Sequence, residues 1–127
     1  MSAEPALAVI EEQGVRIVEG TLDARIVARV EEASRVVEAC LSHRTLRALL
    51  YTQNLPDRFF DLSSGDAGAI LQKLRNYRIR LAIVCPPGSV QFSSRFGELM
   101  AEEQLRRDVR VFESRGPALD WLAKLQI

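Results

Sequence analysis

A chain of 127 residues, 47% of them apolar, is the size of one domain, residues 1–127, with a single two- or three-layer core. Seventeen basic and seventeen acidic residues cancel to zero net charge, which excludes a field able to hold a nucleic-acid backbone. Cys40 and Cys85 form no CxxC pair, so neither a zinc site nor a secreted disulfide framework is expected, and a reducing cytoplasm fits best. No apolar run approaches the ~18 residues of a membrane span. The opening "MSAEPALAVIEEQG" has acids where a signal peptide has a basic start, so the expectation is a soluble, unprocessed protein.

In chain order, "LAVIEEQGVRIVEG" reads as two β-rich runs, 7–11 and 15–19, joined by a polar segment ending in Gly14, the pattern of a hairpin. From Asp23, apolar residues Ile26, Val30, Ala33, Val37 and Cys40 recur at spacings of three and four, which predicts a helix of roughly five turns. Its β-branched content opposes helix propensity, and the period outweighs it. His43 falls near the end of that helix, where a protonated ring complements the dipole. "TLRALLYT" and "IRLAIVC" (79–85) read as strands. The unbroken Leu81–Val84 run predicts a central strand covered on both faces, and the alternation of "VRVF" (109–112) predicts one nearer an edge. Between and after them lie helical patterns: Ala67, Ile70, Leu71, Leu74 and Tyr77; then Phe92, Phe96, Leu99 and Met100; then Ala118, Leu119, Leu122 and Leu125. Strand and helix alternate, so the expected fold is a small α/β domain with a mixed four- or five-stranded, largely parallel sheet flanked by helices.

Two connections carry the candidate site. The segment from Gln53 to Leu62 runs to about ten residues where such links are usually ~2–6. The other, "PPGSVQ", follows Cys85. Both leave the C-terminal ends of predicted parallel strands, where open α/β sheets place ligands, so they should share one rim. Next to the first stands "DLSSGDAGAILQKL", residues 61–74. Ser63 is suited to cap the following helix, with Asp66 in its first turn opposing the positive end of the dipole. The same start, with Gly65 and Gly68 permitting close approach, suits an anion, which Asp66 opposes; neither GxxxxGK[ST] nor GxGxxG is present.

The remaining residues are read against packing. Phe59 and Phe60 are a recognition knuckle or anchors into the core, and anchoring is favoured for at least one. Asn54 and Asp61 orient a ligand or hold a turn. Cys85 is a small buried hydrophobe at a strand end, and Trp121 is core or edge packing. One histidine and two separated cysteines supply no catalytic triad and no metal-ligand cluster, so no catalytic residue, metal or cofactor is expected.

"SSGDAGAILQKL" followed by "RIRLAIVCP" resembles the serine turn, helix and next strand of STAS-type domains, the fold of bacterial anti-sigma factor antagonists and sulfate transporter tails. That resemblance implies a STAS-like fold and makes Ser63 the counterpart of their phosphorylated serine, with Ser64 its neighbour. The chain departs by inserting Leu62 after Asp61 and by one extra residue between Gly65 and the second glycine. Over a longer stretch, "NLPDRFFDLSSGDAGAILQKLRNYRIRLAIV" is similar to a small bacterial family known as domain of unknown function 4180, through Asn54, Phe59, Phe60, Asp61, Gly65, Gly68, Gln72, Asn76 and Tyr77. That family's pattern has an acid at Ala69 and a glycine at Cys85, and its label implies no activity.

The expected function is a non-enzymatic regulatory or protein-binding module acting through the rim, with Asn54, Phe60, Asp61, Ser63, Ser64, Gly65, Asp66 and Cys85 as binding residues. Its partner is protein, self-association included, with neither nucleic acid nor membrane. One rival is a switch in which phosphate on Ser63 adds ~−2 charge beside Asp61 and Asp66. The other is a small-ligand carrier or enzyme using the 61–66 turn with Cys85.

Overall fold

The computed structural model describes residues 7–60, 65–88, 98 and 108–126. The opening hairpin pairs β1 (Leu7–Glu12) with β2 (Val15–Gly20) antiparallel, Glu12 opposite Val15. Only Gln13 and Gly14 intervene, at φ 51° and 84°. Positive φ at both turn positions gives the backbone twist that matches two right-twisted strands, and glycine reaches it without a Cβ clash.

After the hairpin come α1 (Ala33–Ser42), β3 (Arg47–Tyr51), α2 (Asp66–Asn76), β4 (Arg80–Val84), β5 (Val109–Phe112) and α3 (Arg115–Lys124). The strands form a five-stranded mixed sheet in the order β1-β2-β3-β4-β5, with β2 through β5 mutually parallel. The continuous run of β4 is interior and the alternating β5 lies at an edge, as their patterns predict. Successive residues point to opposite faces, so one strand feeds two cores. Val18, Ala48, Leu50, Leu81, Ile83 and Val109 pack on α1 and α2, whereas Ile17, Leu49, Ala82 and Val84 pack under Ala118, Leu119 and Leu122 of α3. A sheet that grows in one direction through crossovers of one hand places α1 and α2 on the same side, and the helix after the last strand covers the other.

The five-turn helix predicted from Asp23 is a correction. The chain there is irregular as far as a 3-10 turn at Val30–Glu32, and α1 itself has 10 residues. Asp23 sits at φ 69° and Arg29 is extended, so no helix passes through them. Ile26 and Val27 are fully buried all the same, because their amides are fixed by the carbonyl of Asn54 at 3.2 and 2.8 Å. The helical spacing recorded burial imposed from outside the segment. His43 does end α1, and its carbonyl accepts from Arg16 Nη1 at 3.2 Å.

A second correction concerns α2. Its N-cap is Gly65, at φ 77°, a left-handed conformation cheap only for glycine, and not Ser63. Asp66 stands in the first turn as expected. The predicted helix carrying Phe92, Phe96, Leu99 and Met100 lies outside the described residues.

Strand β3 also fixes the C-terminal end of α3. Arg47 donates through Nε and Nη2 to the carbonyls of Leu122 and Leu125 at 2.8 and 2.9 Å, supplying a cation to the negative end of the helix.

Candidate functional site

Parallel strands end together, so the segments leaving Gly20, Tyr51, Val84 and Phe112 emerge at one rim. Tyr51, Val84 and Phe112 are direct neighbours in register, and Cys85 N donates to Phe112 O at 2.7 Å. The long segment after β3 and the start of the proline segment after β4 therefore leave the same edge, as expected. The former folds as two 3-10 turns, Thr52–Asn54 and Asp57–Phe60. Phe59 and Phe60 meet edge to face, centroids 5.1 Å apart, and both are buried in the core under α1 and α2.

Asn54, fully buried, is the brace of the rim. Its Oδ1 accepts from Tyr51 N at 2.7 Å, its Nδ2 donates to the carbonyls of Thr21 and Ala24 at 2.8 and 2.7 Å, and its own carbonyl takes Ile26 and Val27. The side chain thus holds two loops by their backbones, which is the turn-holding alternative of the two weighed for it. Gly20 makes this possible: a Cβ there would stand 2.8 Å from Asn54 Cγ and 3.0 Å from Ile26 Cδ1.

The two braced loops enclose an open groove of about 450 Å³ on the α1–α2 side of the rim. Arg25, Arg29 and Arg58 line it with Glu31, Asp57 and Asp66, over Ala28, Val30 and Pro56. Arg25 ties the walls together, donating to Leu55 O at 2.6 Å and to Asp57 Oδ1 at 3.0 Å. Arg29 and Glu31 enter no ion pair among the described residues.

Of the expected binding residues, Gly65 is exposed and Asp66 lines the groove, whereas Asn54, Phe60 and Cys85 are buried. Asp61, Ser63 and Ser64 lie outside the described residues. Sequence reasoning missed Arg25 and Arg29. They stand four apart within the segment from Asp23 whose apolar spacing predicts a helix, so in sequence they read as the polar side of a turn that does not form. Neither cysteine is bridged, and burial pushes the Cys40 thiol up to about 12, far from a reactive thiolate. Among the described residues no three His, Cys, Asp or Glu side chains come together as metal ligands. Nor is any described helix long and apolar enough to cross a membrane.

On the opposite face of the rim, Glu19 of β2, Tyr51 of β3 and Arg115 of α3 form one cluster. Tyr51 Oη donates to Glu19 Oε2 at 2.5 Å, and Arg115 is bidentate on the same carboxylate at 2.7 and 3.1 Å. Burial opposes ionisation of Glu19, but the bonds from Arg115 and Tyr51 outweigh it and hold the carboxyl below its ordinary value. Burial, aided by the bond to that carboxylate, pushes the Tyr51 phenol up to about 12. A depressed acid stabilises above its unfolded value and loses that as pH falls through its folded value. A raised phenol stabilises below its unfolded value of about 10 and loses that as pH rises toward 12. In a Tyr77→Phe variant, phenolate absorbance reports Tyr51 alone and should show a midpoint near 12, lowered only in part when Glu19→Gln is added, because burial, the larger cause, remains. Glu19→Gln should also cost about 1–2 kcal/mol in urea unfolding at neutral pH, limited by the exposure of Arg115.

Fold and rim together define the class: a mixed five-stranded α/β domain that presents a groove of mixed charge beside the ends of its parallel strands. The chain belongs to the family described as Domain of unknown function (DUF4180), whose profile matches residues 12–122. No curated protein and no solved structure matches it.

Proposed function

We propose that this domain is a non-enzymatic protein-binding module and that the rim groove is its docking surface. The groove itself carries the reading. It has the volume of a recognition site, it lies where α/β sheets collect ligands, and its two walls are fixed to each other by Asn54 and Arg25. Three guanidinium and three carboxylate side chains line it, a mixture suited to a polypeptide segment bearing both signs and unsuited to a polyanion. The sequential strand order, an antiparallel opening pair followed by parallel strands, supports the STAS-like resemblance. Two buried, unbridged cysteines support a reducing cytoplasm.

The test uses the full chain as bait in lysate of its own host, beside Arg29→Glu and Glu31→Lys variants of unchanged circular dichroism and melting temperature. Arg29 and Glu31 are exposed, so reversal of either charge leaves the core intact. The partner retained by the parent chain should be recovered at least tenfold less by Arg29→Glu. Equal recovery by all three baits would remove the groove from the reading.

A further inference from the structure

We infer that the outer edge of β1 is a self-association surface, which a second copy of this chain occupies antiparallel to extend the sheet across a twofold axis. The argument begins at the turn. In a two-residue hairpin of this type the residues flanking the turn exchange both backbone hydrogen bonds, so Glu12 pairs inward with Val15, and by alternation Ile10 and Ala8 also spend their backbone groups on β2. The N–H and C=O groups of Leu7, Val9 and Glu11 then point away from the sheet.

β1 carries few of the devices that blunt such an edge: its only charges, Glu11 and Glu12, stand together at the turn end, and Leu7–Ile10 is uncharged. It is six residues long, reads LAVIEE with neither proline nor a basic residue, and keeps an unbroken register from Leu7 opposite Gly20 to Glu12 opposite Val15, so no bulge turns it away. Val9 is 38% exposed on it. The opposite edge is guarded: β5 has four residues and carries Arg110, whose guanidinium lies 5.2 Å above the Phe112 ring.

The edge is complementary to itself. With the axis through Val9, Val9 meets its own copy, Leu7 meets Glu11 on either side, and all of these are residues whose backbone groups face outward. Ala8 meets Ile10 on the α3 face, and no carboxylate of these pairs faces another. Oppositely placed acids and apolar residues set the register, while main-chain bonds supply the attraction. The surface shares no residue with the rim groove.

Sedimentation velocity of the full chain over a concentration series tests this. A concentration-dependent dimer is expected, and Val9→Lys should raise its dissociation constant at least tenfold. Val9→Pro should do the same while leaving the hairpin paired, because the amide it deletes points outward. Hydrogen exchange adds a second readout: the Val9 and Glu11 amides should slow as concentration rises, those of Ala8 and Ile10 should not, and Arg29→Glu should leave the dimer unchanged. A monomer at every concentration up to about 1 mM, or a dimer indifferent to Val9→Lys, overturns the inference.

Discussion

Asn54→Ala should lower the free energy of unfolding by about 3–5 kcal/mol, a loss of about 10–20 °C in melting temperature for a domain of this size. The side chain serves Tyr51 N, Thr21 O and Ala24 O, and truncation leaves all three without it. Each deserted buried group costs about 1–3 kcal/mol, and the partial exposure of the 21–24 turn keeps the total below the sum of the maxima. Asn54→Asp separates wiring from volume. It preserves the shape, retains an acceptor for Tyr51 N, and sets a carboxylate against two carbonyl oxygens. That variant should be least stable at neutral pH and recover as pH falls, because only the protonated acid can donate. Gly20→Ala should cost about 2–3 kcal/mol by overpacking, since its methyl collides with the Asn54 amide. Combining Gly20→Ala with Asn54→Ala should then cost less than the two separately, by about 1 kcal/mol or more, because the second change removes the obstacle met by the first. Strict additivity in urea unfolding would show that the methyl meets something other than Asn54.

The same brace explains what the sequence conceals. The hairpin, β3, β4 and β5 are legible because their causes are local: a Gln13–Gly14 turn with positive φ, a period of two, and an apolar run flanked by polar residues. Helices α2 and α3 are legible because their stripes are continuous. The segment after Asp23 is not. Ile26 sits at helical spacing with α1, yet it and Val27 are held by bonds to a residue more than twenty-five positions later, and no one-dimensional period reports a partner at that separation. The groove is hidden for the same reason, since Arg25 and Arg29 face Arg58 and Asp66 only after β2 and β3 have been laid side by side. Gly20 carries no turn signal at all, because its role is to leave room for a distant amide. Capping chemistry misleads at α2 in a different way. Two serines advertise an N-cap, but the helix starts after them, at a glycine already in the left-handed region.

Phe59→Ala should cost about 3–5 kcal/mol, the penalty of a large cavity in a core that collapses incompletely. Phe59 is wholly buried and Phe60 is 4% exposed, so the pair anchors, the alternative favoured for at least one of them, and pins the 52–60 loop from beneath. The consequence reaches the groove, because the loop that Phe59 anchors also carries Asn54, Pro56 and Arg58. Faster hydrogen exchange at Ile26 and Val27, whose amides end on Asn54 O, should therefore accompany Phe59→Ala at temperatures where the sheet remains protected. Phe60→Leu distinguishes anchoring from recognition. A volume-conserving apolar swap at a buried position should cost less than about 1.5 kcal/mol and leave recovery of the groove's partner unchanged, whereas Arg29→Glu should lower that recovery at least tenfold at no cost in stability. Partner loss in Phe60→Leu at unaltered melting temperature would mean that the ring leaves the core to meet the partner, and the groove would then be the closed state of a larger surface.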